Sequence, residues 1–434
     1  MSLYIADFHI HSKYSRATSK NMDLEHIDLW CQKKGIDLVT TADFTHPAWF
    51  KELKEKLIET KDGGLYFLKS KIQNSKSKIN PKFKIQNSKL TKFILTTELA
   101  CIYKRHNKTR RIHLVIFAPN LEAVAEINNQ LGKKFNLKSD GRPILGIDAE
   151  DLVKLLLKID PKIIVVPAHC WTPWFALFGS KSGFDSFEEC FGEVADKIFA
   201  VETGLSSDPA MNWLIPEIDS RTIISNSDAH SPDNLGREAN VFSGDKISYD
   251  DIYDCLSHQG KGENLALKYT IEFFPEEGKY HFDGHQACKI VMHPQEAIKN
   301  KNICPKCKRE LTIGVHHRVF ELAQRKESDD FAQRIPFKKI IPLREIIGNV
   351  LEVGKNAKAV DQIYEKIIKI GKNEFNVLLD FDLEKLKGAV EDDMIKAIQL
   401  VREGMVVISP GYDGEYGKID VALKKIKPKQ KTLF

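Results

Sequence analysis

The sequence has no long hydrophobic run and no cysteine-rich pattern, and both absences narrow the class of protein. No stretch of its 434 residues approaches the roughly 18 consecutive apolar residues of a membrane-spanning helix. The start, MSLYIADFHIHSKYS, lacks the charged and then apolar order of a signal peptide. Eight cysteines in a chain of this length give no disulfide framework. We therefore expect a folded protein of the reducing cytoplasm, with no membrane partner.

The chain has the composition of a globular protein, but its positive charge is concentrated. Hydrophobic residues make up 42% and charged residues 29% of the sequence, which argues against disorder throughout and against a fibrous repeat. Residues 61–94 carry nine lysines and one aspartate, and residues 423–434 carry five lysines and no acid. Since the net charge of the whole chain is only +5, the remaining residues are acidic overall. Binding to a polyanion would then depend on local basic segments and bound cations.

Strand and helix patterns alternate over residues 1–262. Seven short β-rich runs, from LYIADFHIHS to RTIISNSDAH, alternate with helical patterns, which predicts an α/β fold with a parallel sheet closed into a barrel. Two of the strands flank the polar residues 104–111 and predict an antiparallel hairpin with a basic tip. Residues 61–94, in which KIQNSK occurs twice, predict a low-complexity, Lys-rich solvated insertion. The alternative is a basic arm that follows a phosphate backbone.

Three more segments follow the barrel. The composition changes near FFPEEGKYHFDGH, and residues 263–335 contain a cysteine cluster. Residues 336–422 are rich in Lys and Glu and have helical periodicity, so we expect a mainly helical C-terminal domain. Residues 423–434 form a basic tail.

Histidines and carboxylates stand within or at the ends of several predicted strands. His9 and His11 are two residues apart, so their side chains leave the same face of a strand. Asp228 and His230 repeat this spacing. A single histidine beside an apolar run is usually a hydrogen-bonded structural residue, but burying the whole set unpaired would be costly, and shared cations would offset the cost. We therefore expect one metal centre formed by His9, His11, Glu98, His113, His169, Asp228 and His230.

These residues predict hydrolytic phosphoester chemistry. Imidazole and carboxylate ligands without thiolate suit zinc, manganese or iron. The number of ligands is enough for at least two ions, with Glu98 or Asp228 as a bridge. Two such ions activate water and stabilise the attacking and leaving oxygens of a phosphoryl displacement.

The same ordered series resembles the PHP (polymerase and histidinol phosphatase) superfamily over roughly residues 3–262. The motifs and residues that match the superfamily are DFHIHSKYS, Glu98, His113, His169 and the SDAH of Asp228 and His230. The resemblance implies a distorted (β/α)7 barrel with two or three divalent ions (Zn, Mn or Mg) at the strand ends. Where the superfamily has Thr-Asp-His-Asp, this chain has Ala42-Asp43-Phe44-Thr45-His46. Phe44 cannot bind a metal, so Asp43 or His46 would complete the ligand set.

The second domain has a zinc pattern of its own. Cys288, His293, Cys304 and Cys307 have the spacing C-x4-H-x10-C-x2-C and predict one closed, structural zinc site. A redox C-x-x-C is the alternative. Among nearby histidines that could replace a ligand, His281, His285, His316 and His317, His285 is the most plausible.

Over nearly the whole chain, the order of PHP domain, zinc element, LTIGVHHRVFELA and SPGYDGEYG resembles the endonuclease Q family. That resemblance implies a metal-dependent hydrolase in DNA repair, which cuts the phosphodiester 5′ to uracil, hypoxanthine, xanthine and abasic sites. The alternatives are a PHP phosphatase acting on a small phosphate monoester and a non-catalytic DNA-binding scaffold.

A lesion-specific nuclease needs groups that hold DNA, and the sequence offers several, each with an ordinary alternative. Aromatic and basic residues near the ligand motifs are predicted to stack on bases or bind phosphate: Trp171, Trp174, Lys104, Arg105, Lys108, Arg110, Arg111, Arg237 and Tyr412. The alternatives are loop packing for the tryptophans, a solvated turn for the basic tip, a salt bridge for Arg237 and a Gly-rich turn for Tyr412. The ending QKTLF resembles an incomplete sliding-clamp peptide, with an ordinary chain end as its alternative.

Overall fold

The computed structural model describes residues 1–76 and 90–421, and the side chains of residues 73–76 are not described. The second KIQNSK copy, the basic tail and the expected sliding-clamp peptide lie outside the described residues. No helix within the described ranges is long and apolar enough to cross a membrane.

The described chain is a mixed α/β structure. Its strands are β1 (Ser2–Asp7), β2 (Leu38–Thr40), β3 (Leu57–Glu59), β4 (Leu65–Leu68), β5 (Lys92–Arg105), β6 (Lys108–Ala118), β7 (Ile144–Leu145), β8 (Ile164–Pro167), β9 (Ala200–Glu202), β10 (Thr222–Ile224), β11 (Ala239–Gly244), β12 (Leu265–Glu272), β13 (Asp283–His285), β14 (Ile290–Met292), β15 (Phe337–Lys339), β16 (Val406–Ser409) and β17 (Lys418–Val421). Its α-helices are α1 (Leu24–Lys34), α2 (Pro47–Lys56), α3 (Lys69–Lys76), α4 (Leu121–Gly132), α5 (Ala149–Ile159), α6 (Phe187–Phe191), α7 (Pro209–Trp213), α8 (Tyr249–Ser257), α9 (Pro294–Lys299), α10 (Val315–Leu322), α11 (Leu343–Leu351), α12 (Lys358–Gly371), α13 (Glu374–Leu379) and α14 (Asp392–Arg402).

The helices begin and end where the sequence satisfies their free backbone groups. At the start of α1, the Asp23 side chain accepts a hydrogen bond from the His26 N–H, and Gly35 ends the helix in the left-handed conformation. Ser248 and Asp251 form a reciprocal capping box at the start of α8. These caps fix the points at which the chain passes from helix to strand.

The central sheet orders its main strands β15-β12-β11-β1-β2-β5-β4-β3, while β6 joins β5 to β8. Strands β1, β2 and β5 are mutually parallel, and β5 and β6 form a long antiparallel hairpin. Parallel strands carry their carboxyl ends at one edge of a sheet, so the residues that follow β1 and β2 are brought together there. The α/β class with a central sheet agrees with the sequence; the count of seven βα units stays a prediction.

Two predicted boundaries differ from the structure. Leu65–Leu68, inside the predicted insertion 61–94, form β4 and pair with β5, because their apolar side chains are buried in the sheet. Strands β12 and β15 also join the central sheet, which therefore extends beyond the predicted boundary at residue 262. The turn of the β5–β6 hairpin has positive φ at His106 and Asn107, as a tight two-residue turn requires.

A buried ion pair connects the first helix to the helical segment near the C-terminus. Lys34 of α1 and Glu374 of α13 are both 2% exposed, and Lys34 Nζ lies 2.9 Å from Glu374 Oε2. The same carboxylate accepts hydrogen bonds from the Tyr364 hydroxyl and the Leu343 backbone. Glu374 thus anchors the N-terminal ends of α11 and α13 and the middle of α12 to the barrel helix α1.

Two carboxyl groups, Glu238 and Glu272, are buried together beneath the central sheet. Burial, with an added contribution from Asp208, raises the pKa of Glu272 to about 8. Burial and the neighbouring Glu272 raise the pKa of Glu238 well above its usual value. Both groups are therefore kept protonated in the fold at neutral pH.

Replacing Lys34 with Met should lower the free energy of unfolding by about 3 to 5 kcal/mol, because it leaves the Glu374 carboxylate buried without a counter-ion. Urea unfolding followed by circular dichroism measures the change. Lys33→Met is the matched control, since Lys33 pairs with the 55% exposed Glu365 and its loss should cost less than about 1 kcal/mol. Equal losses in the two variants would contradict the role given to Glu374.

Replacing Glu272 with Gln should flatten the dependence of stability on pH between about 4.5 and 8. A carboxyl group whose pKa is raised in the fold contributes its full stability below its unfolded pKa and loses it as the pH rises through the folded value. The melting temperature of Glu272→Gln should therefore exceed that of the wild type at pH 8 and approach it at pH 5. Glu263→Gln, at an exposed position, is the control, and parallel profiles for the wild type and Glu272→Gln would refute the interpretation.

Candidate metal centre

His9 and His11 follow β1 and point to the same side of the chain. Ile10 between them bridges Ala229 in parallel register, and the His11 N–H donates to the Ala229 carbonyl at 2.9 Å. This bridge brings the segment after β1 against the segment after β10. Asp228 therefore stands next to the two histidines, although it is more than 200 residues away in sequence.

Two groups of side chains at this edge have the spacing of metal ligands. The first contains His9, His11 and Asp228, and the second contains Glu98, His113 and His169. Within each group, the possible ligand atoms all lie within 4.8 Å of one another. The structure thus brings together six of the seven residues predicted to form the centre.

Glu98 connects the two groups. Its Oε1 lies 2.7 Å from His113 Nδ1 and 3.3 Å from His169 Nε2. Its Oε2 lies 3.5 Å from His9 Nε2 and 3.2 Å from His11 Nε2. One carboxylate with each oxygen facing a different ligand group has the arrangement of a bridging ligand.

The unpaired atoms of the first group fit a divalent metal ion. His9 Nε2, His11 Nε2 and Asp228 Oδ1 are buried, and none of them forms a hydrogen bond to the part of the chain that the structure describes. Asp228 Oδ1 lies 3.1 Å from His11 Nε2 and 3.8 Å from His9 Nε2. Atoms that share a tetrahedral zinc ion at its usual bond lengths are roughly 3.4 Å apart. A cation bound between these atoms would satisfy all three.

The electrostatics of the site keep its carboxylates ionised and His113 neutral. Burial alone would raise the pKa of Glu98, but His113 and Arg142 bring it well below its usual value. The pKa of Asp228 is lowered in the same way. Burial would raise this pKa, but His11 and His9 hold it far below the usual range. Burial lowers the pKa of His113 to about 4. Ionised carboxylates and neutral imidazoles are the forms that bind a metal. Burial would lower the pKa values of His9 and His11, but the facing carboxylates of Glu202, Glu98, Asp43 and Asp228 raise them well above the usual value. These two rings would therefore release a proton when a metal ion binds.

The backbone is strained where it presents these side chains. Asp43, His169 and Asp228 have positive φ values of 42°, 33° and 46°. Gly204, at φ 61°, packs directly beside His169, where a Cβ atom would come within 2.4 Å of the histidine Cβ. Left-handed conformations of non-glycine residues cost free energy and persist only where the surrounding structure enforces them, commonly at functional sites.

The other predicted ligands, Asp43, His46 and His230, lie in different places. Asp43 Oδ1 is 3.3 Å from His11 Nδ1, and Asp43 Oδ2 accepts hydrogen bonds from Ser12 and Ser15, so this carboxylate orients His11 from behind. His46 stacks on Tyr14 and belongs to neither group. The His230 ring lies 4.5 Å from that of His11 but also belongs to neither group.

The sequence reasoning missed two residues of the centre, Glu202 and Arg142. Both carboxylate oxygens of Glu202 lie 3.0 Å from His9 Nδ1, and they also accept hydrogen bonds from the His169 N–H and the Asn226 side chain. Glu202 ends the apolar run KIFAVE, and that strand-end position was an available signal. Arg142, whose Nη1 lies 3.0 Å from Glu98, follows a turn and offered no periodic signal.

The structure corrects one predicted DNA contact, Trp171, and locates two others, Arg237 and Trp174. Trp171 is 1% exposed, stacks on Phe178 and donates its indole N–H to Asn212, so it is part of the core and presents no face to a base. The Arg237 guanidinium donates to the carbonyls of Ser227 and Asp228 and holds the backbone of the ligand motif. Trp174 is 38% exposed and meets Tyr280 edge to face.

The basic hairpin is partly structural. Arg105 donates to Asp148 and Glu150, and Arg110 is buried, donates to the Gly183 carbonyl and lies over Phe184. Lys104 and Lys108 are exposed, and Arg111 lies against Phe175. Tyr412 is half-buried against Gly284. Phosphate binding by Lys104, Lys108 and Arg111, and a nucleotide contact by Tyr412, stay predictions.

The cysteine cluster contains His285 in place of the predicted His293. His285, Cys288, Cys304 and Cys307 have their ligand atoms within 4.8 Å of one another, and Cys307 Sγ lies 3.6 Å from His285 Nδ1. The β13–β14 hairpin carries His285 and Cys288 towards the turn that holds the other two cysteines. His293 begins α9 and packs its ring against Phe282 and His316, away from the cysteines. The paired spacings H-x2-C and C-x2-C were the signal for His285.

Comparisons with known proteins give a family for the whole chain. The lesion-specific endonuclease PfuEndoQ from Pyrococcus furiosus is 31% identical to this chain, with a TM-score of 0.82 over 100% of this chain and 98% of that one. The structure of endonuclease Q in complex with a 27-mer duplex that has an abasic lesion at the active site is also 31% identical, with a TM-score of 0.81 and full coverage of both chains.

Two further similarities concern parts of the chain. The family model of the MJ0043 C-terminal domain matches residues 342–405, which contain α11 to α14. The uncharacterized protein MJ0043 of Methanocaldococcus jannaschii is 36% identical over 263 residues, or 60% of this chain. This chain spans 32% of the length of that relative.

Replacing Glu202 with Gln should weaken divalent-metal binding about 10- to 100-fold, because His9 loses the carboxylate that orients its ring. Titration of the apo-protein with Zn²⁺ against a chromophoric chelator measures the affinity. Glu217→Gln is the matched control: it also changes a carboxylate that accepts a backbone hydrogen bond, but away from the centre. Unchanged metal affinity in Glu202→Gln would contradict the orienting role.

Proposed function

The chain belongs to the endonuclease Q family, and on that premise we propose that it cuts DNA 5′ to deaminated bases and abasic sites. The deaminated bases are uracil, hypoxanthine and xanthine. The proposal includes the distorted (β/α)7 barrel over residues 1–262, whose sheet β12 and β15 extend, the zinc-binding domain 263–335 and the helical domain 336–422. It also includes two or three divalent ions (Zn, Mn or Mg) at the centre and one structural zinc.

The observation that carries the proposal is the buried Glu98 carboxylate between two histidine-containing ligand groups. His9, His11 and Asp228 would hold one ion, and His113 and His169 another, with Glu98 facing both. Such ions, when bound, activate water and neutralise charge on a phosphate. In the hydrolysis, the water oxygen bonds to phosphorus, one phosphorus–ester oxygen bond breaks, and a water proton ends on the departing oxygen.

The chain's own residues hold this centre in position. Glu202 keeps the Nδ1 of His9 on its carboxylate and so directs Nε2 to the centre, and Asp43 does the same for His11. The Glu202 carboxylate also fixes the backbone N–H of His169. Three ligands from two separate segments are thereby oriented before substrate arrives.

We assign selection of a lesion to an aromatic face beside the centre that is formed by Trp174 and Tyr280. The loop that carries Trp174 continues into Phe175, whose ring lies 4.5 Å from that of His113. Trp174 and Tyr280 therefore stand near the ligands and offer stacking surface to an extruded nucleotide. A base that stacks there lies within reach of the metal-bound phosphate region.

The test is a nicking assay with Mg²⁺, Mn²⁺ or Zn²⁺ on duplexes that each contain one abasic site, uracil, hypoxanthine or xanthine. We expect a nick on the 5′ side of the lesion with at least one ion and no nick in undamaged DNA. Asp228→Asn should reduce the rate to below about one-hundredth, since it removes a charged ligand. Asp250→Asn, which changes an exposed carboxylate that pairs with Lys162, should leave the rate unchanged.

Two results would overturn the assignment. No nicking with any ion would remove the DNA substrate, and rapid hydrolysis of small phosphate monoesters without nicking would make the chain a phosphatase. Full activity in Asp228→Asn would show that the site of cutting lies elsewhere.

A further inference from the structure

Arg142 brings a guanidinium group to the edge of the metal centre. Its Nη1 lies 3.0 Å from Glu98 Oε2, the same oxygen that faces His9 and His11. The Arg142 side chain is 29% exposed, whereas the Glu98 side chain is fully buried. One part of the guanidinium therefore contacts the bridging carboxylate, and another part faces the open side of the site.

The loop between α4 and β7 is built to deliver this side chain. The Asp140 carboxylate accepts hydrogen bonds from the backbone N–H groups of Arg16 and Arg142, and the Gly141 N–H donates to the Tyr14 carbonyl at 3.0 Å. These bonds attach the loop to the segment that follows His11.

Gly141 is required at the contact between the two segments. A Cβ atom on Gly141 would come within 2.3 Å of both Asp43 Oδ2 and Ser15 Oγ, which orient His11. The backbone at Gly141 therefore packs directly on the support of a metal ligand. The side chain of the next residue, Arg142, extends from this fixed backbone to Glu98.

The guanidinium of Arg142 uses only one of its N–H groups in a side-chain hydrogen bond to the described residues. Within residues 1–76 and 90–421, its only side-chain hydrogen bond or ion pair is the one to Glu98. Arg237 differs, because its guanidinium is already bound to two backbone carbonyls. An arginine has five N–H donors, and their planar arrangement matches two oxygens of a phosphate. The remaining donors belong to a side chain that is 29% exposed and lies at the bridging carboxylate, so they are available to a phosphodiester bound there.

We propose that Arg142 is a catalytic residue that binds a non-bridging oxygen of the scissile phosphate. The inference rests on the proposed function, since it needs a phosphodiester at the centre. Charge grows on the phosphate oxygens as the water oxygen bonds to phosphorus, and a fixed guanidinium stabilises that charge more in the transition state than in the bound substrate. Arg142 thereby supplies positive charge in addition to that of the bound ions, from a position fixed by its ion pair with Glu98.

The test compares the wild type with Arg142→Ala, Arg142→Lys and the control Lys133→Ala, which removes an exposed lysine from the same loop. On a duplex with one abasic site, Arg142→Ala should lower kcat about 100- to 1,000-fold with a smaller change in KM. Millimolar guanidinium chloride should restore part of the kcat of Arg142→Ala, and Arg142→Lys should retain more activity than Arg142→Ala. Lys133→Ala should match the wild type.

Two measurements without turnover separate substrate contact from support of Glu98. Metal content by elemental analysis should be the same in Arg142→Ala and the wild type. Fluorescence anisotropy with the metal-free proteins should show weaker binding of the abasic duplex to Arg142→Ala.

Three outcomes would overturn the assignment of Arg142. They are a kcat of Arg142→Ala within threefold of the wild type, a loss of bound metal in that variant, and no rescue by guanidinium. A wild-type protein that cuts no lesion duplex would instead overturn the proposed function, and the assignment with it.

Discussion

The site depends on one buried carboxylate. Glu98 lies in the middle of β5, with one oxygen facing His113 and His169 and the other facing His9 and His11. Four imidazoles and a guanidinium around a fully buried anion compensate for the water that the anion has lost. Without that carboxylate, the two ligand groups would have no common member, and the centre would separate into two unrelated pairs of histidines.

Neighbouring side chains and strands hold the two ligand groups in position around Glu98. Glu202 and Asp43 hold the rings of His9 and His11 from behind, while strained backbone at Asp43, His169 and Asp228 points the side chains inward. Buried polar groups of this kind lower stability unless every member finds a partner. The apolar strands β1, β2, β5, β6 and β8, which are almost wholly buried at their centres, offset that cost.

A buried ion pair and close packing contacts attach the later segments of the chain to the segments that carry the metal centre. Lys34 and Glu374 join α1 to the helices of the C-terminal segment. The turn of Tyr412 packs on Gly284 beside the cysteine cluster, and Trp174 of the metal-site loop meets Tyr280. These contacts connect the cysteine-cluster segment with the C-terminal turn and with the loop beside the metal centre.

The kinds of site that the chain can form were determined by the sequence alone, because the ligand motifs are local patterns. Pairs such as His9 and His11, or Asp228 and His230, and the spacing of Cys304 and Cys307 follow from strand periodicity and turn length, which are local properties. An α/β fold with a central sheet, groups of side chains able to bind a metal and a cysteine cluster could be predicted from these patterns. The basic hairpin between β5 and β6 was also visible in the sequence.

Only the tertiary structure decided which of several similar residues take part. His285 and not His293 completes the cysteine cluster, because a hairpin register places it there. Trp171 is buried while Trp174 is exposed, and Arg105 is held by Asp148 and Glu150 while Arg142 reaches Glu98. These outcomes depend on contacts between segments tens to hundreds of residues apart, which no local period encodes. Since burial and hydrogen bonding across those contacts decide whether a charge is free, the roles of Glu202 and Arg142 emerge only once the chain is folded.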